Sequence, residues 1–241
     1  MSRFLACLML AAVASSAYGD IRIDSFDREF DRIDHMRAEV VGSAAKAKAF
    51  RELIAKYADD PRRGKAMLRL AAICREGGVG ERDDKGAMAW NREAMNVSKP
   101  GSDVWADATM RVMQSLRESE QFEDAEKLAV EFKKHRKDVL SQARANMVLQ
   151  QIAYESGKLQ LAFDYCCEIM DVDPKGISYV AKTEMDLLQQ ASLYAMVSVL
   201  KKSDAPDAKV LLADVQMKYG YILLFSQSSK VELITEDKPT D

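Results

Sequence analysis

Residue types that catalyse reactions or bind metals are few and widely spaced in this chain. Its 241 residues include two histidines, His35 and His135, which fall in different predicted helix pairs. A zinc site needs close ligand pairs of the His-x-x-x-His or Cys-x-x-Cys kind, and the sequence has neither. It also lacks a Gly-Lys-Ser/Thr phosphate loop and a Gly-x-Ser-x-Gly nucleophile turn. We therefore interpret both histidines as structural and predict no metal, no cofactor and no catalytic residue.

One short segment has some features of a calcium-binding loop. Asp171 and Asp173 stand at the first and third loop positions, and Gly176 stands at the sixth. However, Lys175 would bring a positive charge among the ligands, and Lys182 occupies the twelfth position, where a bidentate glutamate belongs. We therefore expect no calcium at this segment.

Clusters of charge occur at predicted turns and helix ends. The adjacent carboxylates at Asp59-Asp60 and Asp83-Asp84 are typical of helix N-caps. The basic run 133–137 is balanced by nearby glutamates, so we interpret it as a solvated helix end. The whole chain has 35 lysines and arginines against 38 aspartates and glutamates, a net charge of −3. Such a balance argues against a general nucleic-acid binder, which would carry a large basic excess.

The N-terminal segment 1–19 predicts a signal peptide. Arg3 precedes an apolar run over 4–14, which is shorter than the roughly 20 residues that cross a bilayer. Ala17 and Gly19 supply the small side chains that signal peptidase requires one and three residues before the cut. We expect cleavage after Gly19 and a mature protein that is periplasmic or secreted. An uncleaved N-terminal anchor is the alternative.

Three cysteines follow the predicted signal peptide. An odd number of cysteines is unsuited to a disulfide framework. Cys166 and Cys167 are adjacent on a predicted helix, so their side chains point about 100° apart and can hardly bridge each other. We interpret all three as small buried apolar side chains. A bridge from Cys74 to one of the pair is the alternative.

Composition and periodicity together predict long helices. The chain has only 11 glycines and 5 prolines, too few for the many turns of a β-sandwich or barrel. Apolar residues recur with helical spacing in ten segments, separated by short polar connections. The predicted helix pairs are 24–41 with 44–58, 62–77 with 83–97, 102–118 with 121–135, 139–156 with 158–172, and 177–202 with 206–219.

A pattern built on alanine recurs in the second helix of each predicted pair. A large apolar residue follows each alanine after three positions, and usually another apolar residue after seven, which places all three on one helical stripe. One hairpin cannot bury its own apolar face, whereas stacked hairpins can. The sequence therefore predicts a repeat domain over 20–219, with 220–241 as a C-terminal cap and flexible tail. The five stripes are Ala47-Phe50-Ile54, Ala87-Trp90-Ala94, Ala125-Leu128-Phe132, Ala162-Tyr165-Ile169 and Ala208-Leu211-Val215.

Two segments resemble known helical repeats. Segment 157–174 is similar to the second half of a tetratricopeptide repeat (TPR), with Gly157 at the turn, Ala162 at the small position and Pro174 as the terminator. Segment 71–95 resembles the related Sel-like repeat through its glycine loop at 77–80 and the residues that follow. The resemblance implies an all-α, right-handed α-solenoid of about five antiparallel helix hairpins. The Sel-like residues after the loop are Asp84, Ala87, Trp90 and Ala94.

The resemblance also implies where a partner would bind, because the first helices of successive TPRs line a concave groove. The matching faces of the predicted helices 102–118 and 139–156 combine methionine, tyrosine, arginine and amides, which suit a peptide or protein surface. The expected function is a non-catalytic protein–protein interaction module of the periplasm or cell envelope, with no nucleic-acid partner and no integral membrane span. The predicted groove residues are Asp107, Met110, Gln114, Arg117, Arg144, Met147, Gln151 and Tyr154.

Three alternatives to this function remain open. Met110, Met147 and Tyr154 are also compatible with simple packing between hairpins. The second alternative is a subunit of an envelope assembly that holds its partners by its edges more than by its groove. A helical-solenoid enzyme, or an enzyme subunit acting on cell-wall glycan, is the third alternative, although no pair of carboxylates stands out for that chemistry.

Overall fold

The computed structural model describes residues 25–37, 42–77, 80–173, 175–204 and 208–225. Over these residues the chain is all-helical, and no β-strand occurs among them. The predicted signal peptide lies outside the described part. The helices are α1 Ser25–Asp34, α2 Ser43–Lys56, α3 Arg63–Arg75, α4 Asp84–Val97, α5 Asp103–Glu118, α6 Phe122–His135, α7 Val139–Glu155, α8 Leu159–Met170, α9 Tyr179–Lys202 and α10 Ala208–Phe225.

The chain divides into two compact units between Lys99 and Pro100. In the first unit each of the helices α1–α4 packs against the next along the chain. Its core forms around Phe26 and Phe50, which are both fully buried. The ring of Phe26 meets the ring of Tyr57 edge-on, with 5.3 Å between centroids. Aromatic packing therefore joins α1 to the end of α2.

The second unit contains α5–α10, which pack as three pairs: α5 with α6, α7 with α8, and α9 with α10. Only a few residues join the helices of each pair, so the two helices run in opposite directions. Each pair also contacts the next, through α6 with α7 and through α8 with α9. The first helices contact one another as well, α5 with α7 and α7 with α9. These first helices therefore lie side by side.

The five alanines of the recurring pattern all lie on second helices and are buried. Their exposed fractions run from 0% to 5%. Ala162 packs with Ala153 and Val199, where α8 meets α7 and α9. A methyl group at such a position lets two helices approach closely. Seven residues after the alanine, a buried apolar side chain follows in four helices: Ala94, Phe132, Ile169 and Val215.

An arginine just before α3 ties three parts of the first unit together. Arg62 donates from Nη1 to Asp27 of α1 at 3.1 Å and from Nη2 to Asp60 at 2.6 Å. Its guanidinium also lies over the ring of Phe26, 5.3 Å from the centroid. Charge pairing and ring stacking therefore hold the start of α3 against the start of α1.

The second unit has a similar arrangement just before α7. Arg136 donates to Asp103 of α5 at 2.7 Å and to Asp138 at 3.0 Å. Nearby, Lys133 donates to the buried Asn146 at 2.7 Å. The basic run was predicted to be a solvated helix end, and for these two side chains that interpretation is wrong. Their partners lie on other helices, which the local sequence does not reveal.

Two helix ends differ from the sequence prediction by more than two residues. Helix α1 ends at Asp34 rather than at 41, because Lys46 of α2 donates to the carbonyl oxygens of Asp34 and Met36 at 2.6 and 3.2 Å. These bonds satisfy carbonyls that a longer helix would have used itself. Helix α10 continues through Gly220 to Phe225, past the predicted end at 219.

Helix α7 begins at a carboxylate with two partners. The side chain of Asp138 accepts a hydrogen bond from the backbone N–H of Ser141 at 2.9 Å and another from Arg136 Nε at 3.0 Å. Partial burial alone would raise the pKa of Asp138, but the hydrogen bonds from Ser141 and the charge of Arg136 hold that pKa below its ordinary value. The ionised carboxylate therefore stabilises the fold.

Replacing this N-cap should cost stability in a pH-dependent way. We expect Asp138→Ala to lower the free energy of unfolding by about 1 kcal/mol at neutral pH. Because the folded-state pKa is lowered, the stabilisation is complete above the unfolded pKa of about 3.9 and is lost as the pH falls through the folded value. Urea unfolding of both proteins across the acid range measures this difference.

A neutral N-cap in the same unit provides the control. Ser178 caps α9 by accepting a hydrogen bond from Ala181 N at 3.3 Å, and its hydroxyl does not titrate in this range. Ser178→Ala should therefore show a cost that is constant with pH. A constant difference between wild type and Asp138→Ala would show that this carboxylate makes no charge-dependent contribution.

Candidate functional site

The predicted groove residues fall on α5 and α7, and the structure extends the same surface to α9. Equivalent positions on the three helices repeat the spacing 3, 4, 3 along each helix, so each set lies on one side of its helix. We call this surface the first-helix face. It comprises Asp107, Met110, Gln114 and Arg117 of α5; Arg144, Met147, Gln151 and Tyr154 of α7; and Glu184, Leu187, Ala191 and Tyr194 of α9.

An ion pair joins α5 to α7 at one end of this face. Arg117 donates from Nη1 to Glu155 Oε1 at 2.8 Å. The Arg117 side chain is only 16% exposed, whereas that of Glu155 is 41% exposed. The Nε atom of Arg117 is buried and has no hydrogen-bond partner within the described part of the chain. Arg117 therefore contributes to helix packing and also leaves one donor unused.

A second, two-pronged ion pair joins α7 to α9. Arg144 donates through Nε to one carboxylate oxygen of Glu184 and through Nη2 to the other, the latter at 2.6 Å. Hydrogen bonding to Glu184 raises the pKa of the Arg144 guanidinium, and Asp107 of α5 adds a smaller charge effect in the same direction. Such paired hydrogen bonds fix orientation as well as distance. The pair Arg144–Glu184 therefore fixes the position of α7 along its axis relative to α9.

The apolar residues of the face are partly used in packing. Met147 lies half-buried against the cluster of Ala143, Ile169 and Met185. Tyr154 packs against the cluster that contains Ala162, and Lys202 of α9 lies over its ring, 4.4 Å from the centroid. One side of Met147 and one side of Tyr154 thus pack between hairpins. The other side of each residue is exposed and belongs to the first-helix face.

The other predicted residues are more available to a partner. Asp107 is exposed and forms no ion pair with a described residue. Gln114 donates to Glu118 on its own helix at 3.0 Å, a contact that a ligand could replace. Met110 and Gln151 are half-buried. The face therefore presents amides, thioethers and a carboxylate between fixed ion pairs.

Sequence reasoning missed the contribution of α9. Leu187 is 61% exposed, and Val180, one face-repeat earlier on the same helix, is 76% exposed. Because these two residues are seven positions apart, they lie on the same side of α9, and both add apolar surface to the first-helix face. The signal was present in the sequence, because Glu184, Leu187, Ala191 and Tyr194 repeat the spacing found on α5 and α7.

Residues that could perform chemistry lie apart within the described structure. No group of three or more His, Cys, Asp or Glu side chains there could hold a metal ion. Asp171 and Asp173 pair with Lys218 and Lys175, at 3.7 and 3.2 Å. The three described cysteines are free thiols, and burial raises the pKa of Cys166 to about 12. At neutral pH that thiol is protonated and unreactive.

A cavity of about 720 Å³ opens at the connection between α2 and α3 and is lined by residues 56–62. Its charged side chains already bind within the first unit: Lys56 pairs with Glu29, and Arg62 pairs with Asp60. These groups brace the hairpin, so the first-helix face is the better candidate site. None of the described helices is both long and apolar enough to span a membrane.

The ion pair between Arg144 and Glu184 should be measurable by a double-mutant cycle. We expect Arg144→Gln and Glu184→Gln to show a coupling energy of about 0.5–1 kcal/mol, because the pair is bidentate and each side chain is only about one-third exposed. Urea unfolding of the wild type, both single variants and the double variant gives this value.

The matched control is the pair Lys48–Glu52 on α2. Its atoms lie 3.9 Å apart and its side chains are 78% and 69% exposed, so we expect a coupling below about 0.5 kcal/mol. If the coupling of Arg144 to Glu184 is no larger than that of the control, the pair does not fix the helices.

No protein-family model, no curated protein and no solved structure matches this chain. Function is therefore inferred from the surface itself.

Proposed function

We propose that this protein is an exported, non-catalytic interaction module that binds a segment of a protein partner on its first-helix face. One observation carries the proposal. The ion pairs Arg117–Glu155 and Arg144–Glu184 connect three consecutive first helices. Half-exposed side chains between these pairs are thereby held at fixed positions, and a preformed surface loses less entropy when it binds.

The composition of the face supports binding to a polypeptide. Met110 and Met147 offer adaptable apolar contacts. Gln114 and Gln151 can donate and accept hydrogen bonds, as a peptide backbone requires. The face therefore matches the chemistry of an extended chain, which carries apolar side chains and unpaired backbone groups together.

A TPR-like solenoid is the architecture that we propose for the molecule. Support comes from the helices that pack in chain order within each unit and from the buried alanine found in each second helix. The arginine braces at Arg62 and Arg136 add to this, because each joins the first helix of one pair to the first helix of the next. The right-handed superhelix is part of the same proposal and rests on the resemblance to TPRs.

We propose that segment 1–19 is an export signal and that the protein acts in the periplasm or outside the cell. The support for this is the short apolar run at 4–14 and the small residues Ala17 and Gly19. The proposed partner is accordingly an envelope or secreted protein.

Photo-crosslinking in intact cells tests the proposal. A photoreactive amino acid at Gln151, in the centre of the first-helix face, should capture a discrete partner. The same amino acid at Val130, which is 51% exposed on the second helix α6, should not capture that partner. Separation of the crosslinked products by mass, followed by their identification, provides the measurement.

The outcome is decisive in either direction. A partner captured at Gln151 and missing at Val130 supports the first-helix face as the binding surface. Identical products at both positions, or no product at Gln151, would contradict the proposal. Circular dichroism of both purified variants confirms that each retains the helical fold.

A further inference from the structure

The apolar side chains of the first-helix face form a row across the three helices. Met110, Met147 and Leu187 occupy the second position of the 3, 4, 3 spacing on α5, α7 and α9. Each lies about one turn after a charged residue at the first position: Asp107, Arg144 or Glu184. Each helix contributes one apolar residue, so the row runs across the three helices.

Contacts between α7 and α9 show that the two helices run in the same direction. Near their starts, Ala143 and Met185 share a cluster, and Arg144 binds Glu184. Nearer their ends, Ala153 and Val199 share another cluster. Contacts thus follow the same order along both helices. Met147 and Leu187, each three residues after a member of the ion pair, lie at matching levels.

The link from α5 to α7 has the same sense. Tyr154 of α7 occupies the position equivalent to Arg117 of α5. Arg117 binds Glu155, which is the next residue after Tyr154. Met110 lies two turns before Arg117 on the same side of α5. Met110 is therefore level with Met147 to within about one residue, and the row extends over all three helices.

The distance between neighbouring helices sets the spacing that a ligand must match. Packed helix axes lie about 8–10 Å apart. An extended or polyproline-II chain advances about 3.1–3.3 Å per residue, so three residues cover one helix. In the polyproline-II conformation every third side chain also points to the same side. A chain that crosses the row can therefore place an apolar side chain at each helix.

The charge at one end of the row adds a further requirement. Asp107 is exposed and has no ion-pair partner within the described residues, whereas Arg144 and Glu184 neutralise each other. A ligand that covers the row therefore lies beside the carboxylate of Asp107 on α5. A basic residue at that end of the ligand would pair with it.

From these features we infer that the partner is an extended segment with an apolar residue at every third position and a basic residue at the end that lies over α5. The inference rests on the proposed function and names the kind of partner for the same surface. The row Met110–Met147–Leu187 receives the apolar residues, and the exposed carboxylate of Asp107 receives the basic one.

Binding of two synthetic peptides tests the spacing. Both consist of serine and proline with three leucines and a lysine at each end, and both carry a fluorophore for anisotropy measurements on the purified full chain. One has leucine at every third position and the other has leucine at every second position. We expect the first peptide to bind at least about tenfold more tightly, because only its leucines can reach all three helices together.

Two substitutions locate the binding to the row. Leu187→Asp should weaken binding of the first peptide about tenfold. Leu161→Asp on α8 is the matched control, because Leu161 is also a surface leucine, 37% exposed, and should leave binding unchanged. Asp107→Asn should reduce the affinity a few-fold, with the reduction fading at high salt.

The results separate this inference from the proposed function. Equal binding of the two peptides, binding of neither, or equal effects of Leu187→Asp and Leu161→Asp would overturn the inference. If the crosslinker at Gln151 still captures a partner in that case, the face binds a partner of another shape and the proposed function survives. If that crosslinker captures nothing, the proposed function itself fails.

Discussion

The structure depends on one constraint: a pair of amphipathic helices cannot bury its apolar face without a neighbour. Each second helix meets this constraint with a buried alanine that allows another helix to approach closely. The five alanines are at most 5% exposed, and four of them are followed, seven residues later, by a buried apolar side chain. The local sequence thus determines where each helix forms, and close packing against neighbouring helices stabilises it.

The first-helix face is a consequence of that packing. When the second helices lie against their neighbours, the first helices are brought side by side, and long charged side chains can reach from one to the next. Arg117–Glu155 and Arg144–Glu184 use this proximity to fix the helices at one level. The apolar side chains between the pairs are then held in a row, and this row belongs to the surface that we propose binds a partner.

The sequence predicted most of the helices because helical periodicity and turn residues are local signals. It failed where the decisive partner is distant in the chain. Lys46 ends α1 early by capping its carbonyls from α2, and Arg136 finds Asp103 on α5, so neither effect is visible in a short window. For the face, eight residues were predicted from the resemblance to TPRs together with their spacing, whereas Glu184 and Leu187 were missed although they repeat that spacing. Export and the superhelix stay predictions.

The most direct test of the central claim is the stability of five variants in which Ala47, Ala87, Ala125, Ala162 or Ala208 is replaced by leucine. If these alanines occupy equivalent close contacts, each replacement should lower the free energy of unfolding by about 1–3 kcal/mol, because the added volume has no space. The exposed Ala89 of α4 and Ala213 of α10 should tolerate the same change within about 0.5 kcal/mol. Buried alanines that tolerate leucine as well as these two controls would contradict the account.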